Sequence, residues 1–117
     1  RDMEKYIDWA DLFPGAVTFC DREGIIIYMN SKAIEQFKDD GGEALVGTNL
    51  LDCHPEPSKT QLKEMLEKEI NNTYTIEKKD RKILIHQTPW YDKDGLYGGL
   101  VEVSFDIPDI LPNKKRQ

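Results

Sequence analysis

Positive charge is in short supply in this chain: 16 Lys and Arg face 22 Asp and Glu, for a net charge of −6. That deficit argues against general nucleic-acid binding, which needs clustered cations against phosphates. The basic run Lys114-Lys115-Arg116 is short and reads as a solvated end. Cysteine is scarce too. Two residues, Cys20 and Cys53, make no disulfide framework, and a reducing cytoplasm is the expected setting. No apolar run approaches the roughly 20 residues that cross a bilayer, and no signal-peptide pattern opens the chain, so no membrane contact is expected through this domain. The first residue is Arg1, not Met, which points to a fragment of a longer protein or one whose leader has been removed. No G-x-S-x-G frame surrounds Ser58 or Ser104, and no Gly-rich phosphate loop occurs. The carboxylates are scattered over turns and helix faces, so an enzyme is not expected. His54 and His86 belong to no spaced His/Cys/Asp cluster, and a zinc site is not expected.

What is present is enough for one domain. With 117 residues and 38% hydrophobic content, the chain can bury roughly two-thirds of its unfolded surface. The most informative stretch is Lys82 to Ile107, two long runs rich in Ile, Val, Tyr and Trp joined at Asp92-Lys93-Asp94-Gly95. The Asp-Gly pair supplies the positive φ of a tight turn, so a long hairpin is predicted. A second hairpin is predicted over Gly15 to Asn30, turning at Asp21-Arg22-Glu23-Gly24. Residues 2–13 space Met3, Tyr6, Ile7, Trp9, Ala10 and Phe13 as an amphipathic helix stopped by Pro14-Gly15. Asn30-Ser31 should cap a helix through Phe37, and a helical turn should cover Glu43 to Val46. The best helix runs from about Pro57 to Ile70, with Leu62, Met65 and Leu66 on its apolar stripe and Asn71-Asn72 ending it. Thr73 to Lys78 reads as a strand, turned at Lys79-Asp80-Arg81. Two strands, helices, then three strands imply one antiparallel sheet with its helices on one side.

In that order the sequence closely resembles a PAS domain over about residues 11–107. The matching residues are Pro14-Gly15-Ala16-Val17, Asp21-Arg22-Glu23-Gly24 with Ile27-Tyr28-Met29-Asn30, and Val46-Gly47. They continue with Leu51-Asp52-Cys53-His54-Pro55-Glu56, Pro89-Trp90-Tyr91-Asp92-Lys93-Asp94-Gly95, and Val103-Ser104-Phe105-Asp106-Ile107, similar to the family's Asp-Ile-Thr ending. The resemblance implies an α+β domain: a five-stranded antiparallel sheet flanked by short helices and one longer helix, with a pocket between. It divides the chain into an N-terminal flanking helix (1–14), the PAS domain (15–107) and a C-terminal tail or linker (108–117). It also implies a sensory or regulatory role in a bacterial-type signal-transduction protein, a histidine kinase or transcriptional regulator, that binds a small ligand, dimerises, or both. A ligand-free interaction module is the alternative, and a heme sensor the next.

The resemblance directs attention to particular side chains. The flavin branch would place its reactive Cys on Leu50 and its flavin-contacting Asn on apolar Ile83, so flavin is not expected. Heme would use His54 as iron ligand, although His-Pro at this point more often ties down a loop. His86 should point away from the face of Ile83, Ile85 and Gln87. Two readings of the last strand stay open. Either Val101, Val103 and Phe105 face the core, or the Leu100, Glu102 and Ser104 side faces the pocket while the apolar side meets Met3, Tyr6 and Ile7 or a second subunit. The second is preferred, since the N-terminal helix needs an apolar surface to cover. The candidate pocket residues are therefore Thr18, Cys20, His54, Ile83, Ile85, Gln87, Leu100, Glu102 and Ser104. Glu102 and Gln87 would then be polar groups in an apolar cavity, where an unpaired carboxylate is costly. The expected partners are a second copy in a homodimer, an output domain and a small molecule. Pro112 would interrupt any output helix opened at Asp106.

Overall fold

A computed structural model describes residues 8–117. Helix α1 (Trp9–Leu12) leads into β1 (Ala16–Cys20) and β2 (Ile26–Met29). Helix α2 (Ser31–Gln36) and short 3-10 turns follow, then α3 (Ser58–Lys68). The chain returns as β3 (Asn72–Lys78), β4 (Arg81–Tyr91) and β5 (Tyr97–Ile107). All neighbouring strands are antiparallel, in the order β2-β1-β5-β4-β3. The α+β architecture expected from the sequence is therefore present, with one sheet and helices α2 and α3 packed on one face. Beyond Ile107, residues 108–117 form neither helix nor strand. None of the described helices is long and apolar enough to cross a membrane.

Local chemistry explains the boundaries. Asp21 closes the first hairpin: its carboxylate accepts the Glu23 and Ile25 N–H groups at 3.0 and 2.9 Å. Helix α3 differs from its predicted span at both ends. Pro57 sits at the cap position, and the preceding Glu56 carboxylate accepts both the N–H (3.0 Å) and the hydroxyl (2.6 Å) of Thr60. The helix stops at Lys68 because Glu69 turns left-handed (φ 53°) while its N–H still reaches the Met65 carbonyl. Ile70 therefore falls outside the helix and stays exposed. Of the predicted N-terminal helix, the described residues show one turn, α1; Met3, Tyr6 and Ile7 lie outside them.

The core sits between sheet and helices. One cluster joins Cys20 and Leu100 of the sheet to Leu62, Met65 and Leu66 of α3, the stripe expected from its i, i+3, i+4 spacing. Each such side chain contributes about 1.5–3 kcal/mol on burial. The other cluster joins Ala16, Ile26 and Met29 to Ala33 of α2. On the outer face, Phe19 stacks on Tyr28 and meets Trp90 edge-on. Trp90 crosses β5 to donate its indole N–H to the Cys20 carbonyl at 3.0 Å. The pair Gly98-Gly99 allows that crossing. A Cβ on Gly98 would enter the indole ring, and one on Gly99 (φ 146°) would enter the Cys20 carbonyl.

Asn30 does far more than cap α2. It is fully buried (0% exposed), and its carboxamide makes four hydrogen bonds. Its oxygen accepts from Val17 N at 2.9 Å and Ala33 N at 3.0 Å; its NH2 donates to the Ala10 and Gly15 carbonyls, both at 2.9 Å. Two donors and two acceptors around one amide admit a single orientation. Replacing it with Ala would strand four backbone groups, each costing about 1–3 kcal/mol where water cannot reach. Asn30→Ala is therefore expected to lose about 3 kcal/mol or more of unfolding free energy, measured by urea denaturation, whereas a solvated cap would lose only about 1 kcal/mol.

Candidate functional site

The strand register lines up five residues, one per strand, across the concave face of the sheet. Met29 opposes Thr18, Thr18 opposes Glu102, Glu102 opposes Gln87, and Gln87 opposes Asn72. Four of the five are polar. Three of them are joined by hydrogen bonds: Gln87 Nε2 donates to Glu102 Oε1 at 2.7 Å, and Asn72 Nδ2 donates to Gln87 Oε1 at 3.1 Å. Gln87 is nearly buried and Glu102 half-buried, so the carboxylate is neither in bulk water nor unpaired. Such pairing offsets the desolvation that would otherwise make a half-buried carboxylate costly.

Above this row lies a cavity of about 470 Å³. Its floor includes Thr18, Gln87, Leu100 and Glu102; its opposite wall includes Phe37, Leu45, Leu50 and Leu62. Asp40, Cys53 and His54 complete the lining, and all three are exposed. The volume falls in the range that holds a small ligand. A wider, open groove of about 640 Å³ runs past α3, lined in part by Thr60, Glu64 and Asn71. None of the candidate pocket residues lines that groove, whereas Asn72 of the polar row does.

The structure brings Thr18, Cys20, His54, Gln87, Leu100 and Glu102 together around the cavity. Ile83, Ile85 and Ser104 lie on the same face of the sheet but outside the lining: Ile85 pairs with Ser104 and Ile83 with Asp106, farther along the strands. The Leu100/Glu102/Ser104 side of β5 thus faces the helices. Val101, Val103 and Phe105 lie half-buried on the outer face, where Phe13 meets Phe105 edge-on with ring centroids 6.2 Å apart. His86, also on the outer face, shares a 2.7 Å hydrogen bond with Thr73. Leu50 lines the cavity, whereas Ile83 does not.

Sequence reasoning missed Asn72, Asp40, Phe37 and Leu45. Asn72 was assigned to ending the helix, yet it starts β3 and completes the polar row. Its cross-strand partner depends on register, for which the local sequence carries no signal. Asp40 and Leu45 sit on 3-10 turns between the second and third helices, where alternation gives no guide.

Two side chains at the cavity have defined protonation chemistry. The His54 Nδ1 lies 2.7 Å from the Leu50 carbonyl, which can only accept, so Nδ1 carries the proton and ties down the Leu50–Cys53 turn. Burial pushes the Cys20 thiol above its ordinary value, and the Leu100 backbone N–H pulls it partly back. The raised value works against folding only at high pH. Above about pH 8.5 the unfolded chain can ionise this thiol, so stability falls as pH rises. Cys20 is 1% exposed, whereas Cys53 is open to solvent. An Ellman titration of the native protein should release one equivalent of thionitrobenzoate from the reagent as Cys53 reacts, with the second appearing only in denaturant. Two equivalents without denaturant would show that Cys20 is not sealed in the core.

The sequence matches the family described as PAS fold over residues 10–109. No curated protein sequence matches the chain. Among solved structures, a C-terminal domain from Streptococcus mutans is similar at 18% identity and TM-score 0.72, with 91% of this chain and 85% of that one covered. VqmA bound to DPO is similar at 17% identity and TM-score 0.67, with 91% of this chain covered and 58% of that one. The Aer2 receptor of Vibrio cholerae, described as a dual PAS-heme oxygen sensor, is similar at 21% identity and TM-score 0.56, with 80% and 95% covered. At these identities the likeness speaks for the fold alone, and the chain spans just over half of VqmA. A strand order of β2-β1-β5-β4-β3 cupped by short helices, and a family match running almost end to end, agree: the chain belongs to the PAS-fold family.

Proposed function

We propose that this domain is a sensory module that binds a small molecule between sheet and helices and relays occupancy to a coupled output domain. The observation that carries this reading is the cavity of about 470 Å³ with an apolar wall and the hydrogen-bonded Gln87–Glu102 pair beside Thr18 on its floor. A few convergent polar groups in a largely apolar hollow are what small-ligand sites require. The host would be a signal-transduction protein of the histidine-kinase or transcriptional-regulator kind, and the domain itself non-catalytic. The Aer2 and VqmA likenesses support that direction.

Heme fits the residues present less well. His54 has one favourable feature, since metal-bound imidazoles usually give their other N–H to a carbonyl. The lining, however, holds two carboxylates, Asp40 and Glu102, and neither Lys nor Arg to pair with heme propionates. Flavin lacks its reactive thiol at Leu50.

Coupling to a second copy is a separate reading, favoured by the outer face of the sheet. Val101, Val103 and Phe105 extend there, the row Trp9–Phe13–Phe105 is joined edge-to-face, and Trp9 remains 65% exposed. VqmA is described as a dimer.

Native mass spectrometry of the purified chain, with an absorption spectrum, tests both readings. The expected result is a dimer carrying a small organic adduct, without a Soret or flavin band. Thr18→Phe, which fills the floor, should release the adduct while keeping the circular dichroism of the parent. An adduct retained in a folded Thr18→Phe protein would place the ligand elsewhere, and a Soret band would make heme the occupant.

A further inference from the structure

The polarity of the row fixes what can sit above it. A carboxylate only accepts, so Gln87 must turn its NH2 toward Glu102; its carbonyl then faces Asn72, which must donate. The bond directions along the row are thereby set, and the Gln87 amide cannot turn over without losing both bonds. The charged group that the row offers upward is the Glu102 carboxylate, beside the second Gln87 N–H and the Thr18 hydroxyl. Glu102 Oε2 has no protein donor among the described residues, and neither has the hydroxyl of Thr18, its cross-strand neighbour. The field of the carboxylate is felt nearby. Burial first, and Glu102 second, hold the Tyr74 phenol above its ordinary value. The second carboxylate of the cavity, Asp40, stands at the mouth, and no cation joins the lining.

An entering carboxylate or phosphate would meet two like charges, Asp40 and Glu102, and no cation in the lining. Like charges juxtaposed across a binding surface weaken association. A donor head group gains instead, because it pairs with a half-buried carboxylate oxygen that takes no donor from the described residues.

We propose that the ligand is a small neutral or cationic molecule with an apolar body and one N–H or O–H donor aimed at Glu102, and that anionic metabolites are rejected. This rests on the cavity being the ligand site. Benzylamine, benzyl alcohol and benzoate share one aryl body and differ only in the head group, so they isolate the effect. Their binding to the full chain can be followed by amide chemical-shift titration at neutral pH. Benzylamine or benzyl alcohol should bind about tenfold or more tightly than benzoate, and the preference should shrink about tenfold in Glu102→Gln. The shifts should map to Thr18 and Leu100 rather than to Thr60 and Asn71 in the open groove.

Benzoate binding as tightly as the other two would overturn the donor assignment while leaving the cavity as a ligand site. A preference that survives unchanged in Glu102→Gln would remove Glu102 as its source. Shifts confined to Thr60 and Asn71, or no shifts with any probe at millimolar concentration, would count against the cavity itself and with it the proposed function. The comparison of head groups uses the unaltered protein, so it stands even where Glu102→Gln fails to fold.

Discussion

Four backbone groups from separate segments converge on one buried carboxamide. Asn30 receives the N–H of Val17 and Ala33 and gives its own protons to the carbonyls of Ala10 and Gly15. It thereby joins α1, the entry to β1, β1 itself and α2 at a single point. The backbone adds a fifth tie, from Asn30 N to the Val17 carbonyl at 3.0 Å. Water is absent from the site because Asn30 has no exposed surface, so each bond is stronger than its solvated equivalent and more costly to break. The cavity depends on this joint. Thr18, on its floor, follows Val17 by one residue; Phe37, on its wall, closes the helix that Asn30 opens.

A second constraint holds the floor together at the other end of the sheet. β1 and β5 are far apart in sequence but adjacent in the sheet, and their ladder ends at Phe19 and Val101. The Cys20 carbonyl beyond it is taken by the Trp90 indole, which reaches across β5 only because Gly98 and Gly99 have no side chains. Cys20 then packs with Leu100 against α3. The sheet is thus clasped to helices at two places, through Asn30 on one side and through the Cys20–Leu62–Met65 cluster on the other. Between those clasps the polar row is left facing a hollow. Its three linked members orient one another, and Glu102 Oε2 takes no donor from the described residues.

Much of this was legible in the chain, for definable reasons. Period-2 alternation gave Gln87 and Glu102 one face and His86 and Val103 the other, because a strand has no freedom to choose otherwise. The turn at Asp92–Gly95 and the stripe Leu62, Met65, Leu66 follow from equally local rules. Register is not local. Nothing in Asn71-Asn72 says that Asn72 will sit opposite Gln87, and the reading of both as a helix stop failed because Glu69 adopts the left-handed turn first. Extent is not local either. Ile83 and Ile85 have the right parity for the floor, yet lie past the end of the cavity beside Asp106 and Ser104. Asn30 was recognised as a helix cap, a role that uses one of its four bonds; the other three go to residues 13 to 20 positions away.

Amide hydrogen exchange at Val17 and Ala33 tests the joint most directly, since both N–H groups end on the Asn30 oxygen. Both amides should exchange only when the whole domain unfolds, with the opening free energy of the central β5 amides. Exchange as rapid as that of the chain beyond Ile107 would contradict the account, because the walls of the cavity would then have no fixed hinge between them.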